Sequence, residues 1–375
     1  MTDAPRLAAI AALLLVGAVG AAVVARRASR GEGPWPTKSV ADAPDLFAGR
    51  HPITRGVERW GDRLIVRAEP VFVADVPNAR LSRLTVLEDG SVLDLAMHGR
   101  TAMVIARVEG LNASLFAAHA VGGGWEPRAL PPDLAKEKAY AVRVAADATT
   151  LVVWGRDRLY RADGEGWIPI AEGTLLHLGD RGPEQALVVS GRLYLGYYRG
   201  EAGGGLTSFD LQSGESRLEP APDNRGGDGA AAPVTGMTLD ARGHLWAARG
   251  RTPPGGHTGT LHELDGDTWR LRARTPENAD GSDAVGWNLG RALFAGLGFD
   301  PSGRLHVVTP EQGLVRLDGV AWTVVTPSWR GRARPSGVAF SGNRAVVGTW
   351  DVGVLSVDVE TGAGRRFLGA LPGER

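Results

Sequence analysis

Acidic, aromatic and basic side chains gather in one short stretch, Glu277 to Arg291 (ENADGSDAVGWNLGR). Asp280 and Asp283 flank a Gly-Ser pair, so two carboxylates share one turn and offer oxygen ligands to a divalent cation. The stretch lacks the EF-hand spacing and its terminal Glu, and a solvated turn competes with calcium as its reading. Trp287, Asn288 and Arg291 follow with an aromatic surface, an amide and a guanidinium for contact with a ligand or partner; loop packing is the other reading of Trp287. Trp329 with Arg330, Arg332 and Arg334 forms a second cluster, and Trp350 and Asp351 stand where a small turn is expected. An anionic or sugar-like ligand suits either group through cation–π and charge-assisted contacts. The competing reading of these arginines is solvated loop charge.

No residue is assigned to catalysis. There is no Gly-x-Ser-x-Gly elbow, phosphate loop or dinucleotide fingerprint in a βαβ setting. Cysteine is absent, which removes disulfides, thiolate metal sites and cysteine nucleophiles together, and the 8 His residues form no HExxH motif. No cofactor is called for, while a structural or catalytic divalent cation at Asp280 and Asp283 stays open. Lys plus Arg equals Asp plus Glu at 42 each, so no global field draws the chain to nucleic acid.

The elements that must position these residues are short strands in a repeat. Val234 to Arg274 and Leu297 to Pro327 carry one phrase: a Gly-bounded turn, an apolar strand, a Gly-rich gap, another strand and a Trp. Equivalent positions fall at Trp125, Trp167, Arg217, Trp269, Trp322 and Phe367, roughly every 40 to 50 residues, the period of a four-stranded propeller blade. Strands separated by Asp-Gly and Ser-Gly turns, with Gly at 53 and Pro at 23, agree. The fold expected is all-β, a single β-propeller of four-stranded blades over residues 56–375, with seven blades preferred and six the alternative. Six units are clear, and 63–67, 70–75 and 81–87 supply three strands of a seventh, with the region from Phe367 to Leu371 completing it and joining the chain's ends. The periodic Trp residues are expected in the core. The long connections, 199–205, 249–259, 310–313 and 350–353 between second and third strands and 220–233, 275–293 and 326–335 between units, leave from one face, where binding is expected.

The two clearest units resemble the repeats of two-component-regulator-type propellers, the ligand-binding sensor domains of bacterial signalling proteins. The resemblance rests on Gly243, Leu245 and Trp246 with Gly259, Leu261 and Trp269; on Gly303 and Leu305 with Gly313, Leu314 and Trp322; and on Gly348-Thr349 with Gly353-Val354. His306 stands where the strand Trp is expected. The resemblance implies a sensor or recognition propeller. Propellers of related short repeats include lactonases and lyases, so a metal-dependent hydrolase using axial acidic residues is the alternative, and an envelope assembly scaffold a third.

Leu7 to Ala25 is uncharged and long enough to cross most of a hydrocarbon core about 30 Å thick. Residues 1–26 are read as a signal anchor or transmembrane helix and 27–55 as a Pro- and Gly-rich linker. Arg26, Arg27 and Arg30 lie downstream of the apolar run, which leaves orientation and cleavage open; the expectation is a membrane-anchored propeller on the extracytoplasmic, periplasmic side. The partner expected is a protein or a small-molecule ligand.

Overall fold

The computed structural model describes residues 37–39 and, between 56 and 367, all but 61–62, 68–70, 78–79, 87–89, 109, 120–123, 174–182, 199–203, 221–232, 252–257, 277–281, 327–334 and 350–353. Every sheet is antiparallel, and consecutive strands pair in chain order. Five sheets have four strands each, over 143–172, 185–218, 234–274, 296–326 and 335–366. The chain before them forms a longer path in two parts: Gly56–Trp60, Arg63–Arg67, Phe72–Asp75 and Arg80–Val86, then Gly90–His98, Thr101–Arg107, Ser114–His119 and Glu126–Arg128. Among the described residues, the ladder pairs that join the two parts are Thr85↔Ser91 and Val86↔Gly90. The predicted membrane segment lies outside the described residues, and among the described residues no helix is long and apolar enough to cross a membrane.

A strand buried on both faces reads as a continuous apolar run, and Leu151–Trp154 (LVVW) and Leu305–Thr309 (LHVVT) are buried throughout. Their neighbours across the face come from the next sheet. One cluster joins Ile65, Val71 and Leu84 to Leu95, Val104 and Trp125, and another joins Trp246, Ala248 and Leu261 to Leu297, Leu305 and Trp322. Trp125, Trp246, Trp269 and Trp322 are buried, as their periodicity predicts, and Trp167 is half-buried, packed on the cluster around Tyr160.

The first strands pack side by side in the order 56–60, 335–341, 296–299, 234–239, 185–189, 143–146, 90–98. The first sheet therefore meets the last. Val57, Leu64, Val66 and Phe72 share a core with Val346, Val354 and Phe367. This corrects the expected closure. Phe367 seals the junction as a packed ring, residues 368–371 lie outside the described residues, and the strand missing from the first sheet is Gly56–Trp60 (GVERW). Two charges in five residues hide that strand from an apolar-run search. Within the stretch expected as a linker, 27–55, the described Thr37–Ser39 pairs with the outer edge of the first sheet through Thr37↔Leu84 and Ser39↔Ser82.

Three first strands approach one another through glycine. A Cβ on Gly296 would lie 2.8 Å from the Cα of Gly337, and one on Gly236 would lie 3.1 Å from the Cα of Gly296. At Gly296 the obstacle is backbone alone, so no side chain can yield there. Gly296→Val should therefore destabilise the chain by about 2 kcal/mol or more in denaturant unfolding. Gly124→Ala, where a Cβ meets nothing within 4 Å among the described residues, should change stability by less than about 0.5 kcal/mol. Equal midpoints for the two variants would contradict the close approach.

Candidate functional site

The first strand of each sheet ends on a common cavity of about 540 Å³. Its wall is mostly apolar or small, with Leu95, Met97, Ala145, Ala186, Met237 and Phe299 among the lining residues. Gly236, Gly296 and Gly337 line the side where the backbones touch. The polar groups at the wall are few: Arg67, Gln185, Thr238 and Asp300.

Both charged members hold internal partners. Arg67 Nη2 donates to Asp94 Oδ1 at 2.5 Å, and Asp94 Oδ2 accepts the backbone N–H of Val144 at 3.0 Å. One buried carboxylate thus ties together both parts of the first sheet and the 143–172 sheet. It sits at a register shift between Val92 and Asp94 that turns the side chain toward its neighbours. Asp300 closes its own hairpin, accepting from the N–H groups of Ser302 at 2.9 Å and Arg304 at 3.0 Å and from Arg304 Nε at 2.8 Å. Its Oδ2 also lies 3.1 Å from His306 Nε2. Burial pushes the Asp300 carboxyl upward, but the hydrogen bonds from Ser302, His306 and Arg304 outweigh it and hold the group well below the usual carboxylate range.

His306 occupies the position that Trp246 fills one sheet earlier. Trp246 meets Phe299 edge-on at 5.7 Å, and His306 meets Phe340 at 4.8 Å. Burial lowers the His306 pKa, partly opposed by Asp300.

The sequence-predicted binding residues divide into two groups. Asp280, Trp329, Arg330, Trp350 and Asp351 lie outside the described residues, as do Arg332 and Arg334. Asp283, Trp287, Asn288 and Arg291 are described and lie in one loop. Trp287 is buried against Phe294 at 4.8 Å and Trp322 at 5.0 Å, and its Nε1 donates to the carbonyl of Gly290 at 2.6 Å. Asn288 grips the backbone of Trp322 from both sides, accepting its N–H at 2.8 Å and donating to its carbonyl at 3.2 Å. The buried Asp283 presents its backbone carbonyl to Arg274, at 3.0 Å from Nε and 2.8 Å from Nη2. Arg291 is exposed. The described part of this loop is thus a fitted plug between two sheets, with Trp287 turned inward.

A further group, Asp240, His244 and Glu263, has its ligand atoms within 4.8 Å of one another. Arginines already occupy its carboxylates: Arg242 Nη2 lies 3.0 Å from Asp240 and 3.1 Å from Glu263, while Arg272 Nε donates to Glu263 at 2.6 Å. Cationic donors at this density oppose a second cation. The group belongs to the tight-turn face and does not line the cavity.

Sequence reasoning missed Arg67, Asp94 and Asp300. Two of them carried a signal, since Arg67 ends the strand RLIVR and Asp94 interrupts SVLDLAMH, and a charge inside a buried strand must find a partner.

No protein-family model and no curated protein matches this sequence. Among solved structures, the chain is similar to the extracellular domain of a hybrid two component system from B. thetaiotaomicron, with a TM-score of 0.50 and 13% identity over 81% of this chain and 39% of that one. It is also similar to the WD40 β-propeller domain of Doa1, with a TM-score of 0.49 and 10% identity over 82% of this chain and 93% of that one. A third likeness is to YCF48 bound to D1 peptide, with a TM-score of 0.46 and 15% identity over 73% of this chain and 80% of that one. At these identities the likeness is one of fold, that of a β-propeller.

The His306 environment has a consequence in acid. Its folded pKa lies below the unfolded value of about 6.5, so the unfolded chain binds the proton more readily and stability falls as pH drops through that value. His306→Gln keeps a side-chain donor for Asp300 and removes the titration. Between pH 7 and pH 5 the parent should lose more thermal stability than the variant, and parallel melting curves at the two pH values would refute the assignment.

Proposed function

We propose that this chain is a seven-bladed propeller that recognises a protein or small-molecule ligand without chemistry, through the face where the long connections emerge, and that Leu7 to Ala25 tethers it to a membrane with the ring on the extracytoplasmic side. Dividing the long path at the junction between 80–86 and 90–98 gives units of four strands and supports a count of seven. The observation that carries the recognition reading is the cavity, where first strands from every unit meet and both charged wall groups, Arg67 and Asp300, are committed to internal partners. Hydrolysis needs titratable groups that converge on a substrate with capacity to spare. This wall supplies apolar surface and backbone instead, the composition of a binding pocket.

Two described positions separate the faces. Tyr140, 52% exposed, lies in the connection between the second and third units beside the exposed Leu111. Val320, 95% exposed, tips a tight turn on the opposite face. With a photo-crosslinking residue at either site of the full chain in its native membrane, a specific adduct should form at 140 and be absent at 320. Adducts at 320 alone would overturn the choice of face.

A further inference from the structure

Three large apolar side chains are more than half exposed among the described residues. Val320 tips a tight turn, whereas Leu111 and Tyr140, at 56% and 52%, lie in neighbouring segments on the face where the long connections emerge. Leu111 falls between Thr101–Arg107 and Ser114–His119, and Tyr140 falls in the connection that leads to Arg143–Ala146. Backbone contacts fix these two segments on each other. The N–H of Ala139 donates to the Leu111 carbonyl at 2.8 Å, the N–H of Ala113 donates to the Glu137 carbonyl at 3.1 Å, and Asn112 bridges Lys138. A surface held this firmly keeps its apolar side chains in water until something covers them.

The charges around it are unevenly committed. Of the chain's 42 basic residues three are lysines, and two of those, Lys136 and Lys138, stand here, both exposed. Lys138 Nζ lies 5.9 Å from the centre of the Tyr140 ring. Neither lysine forms an ion pair among the described residues. The carboxylates nearby are mostly engaged. Asp133 is held by Arg158 and by the Tyr160 hydroxyl, which donates at 3.2 Å, and Arg158 Nε also lies 3.5 Å from Glu172. Glu137 is drawn inward onto the next unit, where its carboxylate takes the N–H of Arg156 at 3.3 Å and fills the space a Cβ on Gly155 would need. In the described parts of these segments and of the 155–158 turn, the charges left uncommitted are Lys136, Lys138 and Arg156 against Asp157.

We propose that Leu111, Tyr140, Lys136 and Lys138 dock an acidic segment of a partner protein, with an apolar side chain of that segment laid on Leu111 and Tyr140 and its flanking carboxylates paired with the lysines. This deepens the recognition reading by naming the partner's chemistry, and it rests on that reading. Tyrosine suits the anchor role because it covers a large area at low entropic cost. The lysines at its margin set partner choice and the rate of approach. A peptide fits this arrangement better than an anionic bilayer does. Its carboxylates can reach the lysines one at a time, whereas a flat anionic sheet would also press on the exposed Asp157 and Glu172.

The test uses the full chain in detergent and the capped peptide acetyl-Asp-Glu-Leu-Phe-Glu-Asp-amide in titration calorimetry. Saturable one-to-one binding is expected, weakening at least tenfold between about 50 and about 500 mM sodium chloride. The double variant Lys136→Glu, Lys138→Glu should bind at least tenfold more weakly than the parent. So should the parent when Leu and Phe of the peptide are replaced by Ser. Both lysines are exposed, so the far-ultraviolet circular dichroism of the double variant should match that of the parent. Carbodiimide coupling should place the parent's peptide adducts on Lys136 or Lys138. Equal binding by parent and double variant, or no binding of the peptide to the parent, would overturn the proposal. Displacement of the peptide by phosphatidylglycerol and not by phosphatidylcholine would overturn it too, by assigning the surface to lipid. The crosslink at position 140 separates the two readings: an adduct there whose yield is unchanged in the double variant removes the acidic segment and leaves recognition through this face standing.

Discussion

Burial of each sheet against the next is the constraint on which the rest of this structure depends. A four-stranded sheet with Val, Leu and Trp on both faces cannot hide either face alone. Stacking hides the inner pairs, and only contact between the first sheet and the last hides the ends. The cluster that joins Val57, Leu64 and Phe72 to Val346, Val354 and Phe367 is that contact. Once the ring is closed, its first strands have no freedom to retreat from the axis. The cavity and its glycine-lined side are consequences of closure.

Polar groups inside such a ring must find partners across sheet junctions. Asp94 does so for Arg67 and Val144. Glu219 does so between the 185–218 and 234–274 sheets, accepting from Ser208, from Arg217 Nε at 2.7 Å and from Trp269 Nε1 at 2.9 Å. Burial raises the Glu219 pKa, and those three donors more than reverse it. Arg249 is less well served, with Nη2 bonded to the carbonyl of Pro220 at 3.1 Å, the ring of Trp269 at 5.9 Å, and Nε and Nη1 without a hydrogen-bond partner among the described residues. Burial pulls its pKa down to about 10, opposed by Glu219. These junctions carry charge as structure, so a charged side chain in this chain is not by itself a sign of chemistry.

The architecture was legible in the sequence because it is periodic. Strand, turn and Trp recur at a blade's spacing, and Trp125, Trp246, Trp269 and Trp322 are buried as that spacing requires. The mode of closure was not legible, because the strand GVERW carries two charges and Phe367 can be placed only once its neighbours are known. The described loop residues show the limit most plainly. Trp287 stands off the repeat, which marks it as exceptional, yet what sets its orientation is Phe294 and Trp322. Asn288 resembles a ligand contact in composition and binds a backbone in space. Spacing along the chain says which residues break the pattern, while only the fold says which way they point.

The first and last sheets share one core and so close the ring. Amide hydrogen exchange of the full chain carrying Phe367→Asp tests it directly, because the substitution places an unpaired charge in that core. The ring predicts that residues 63–86 lose protection to the same degree as 335–366. Loss confined to 335–366, with the first sheet protected as in the parent, would contradict it.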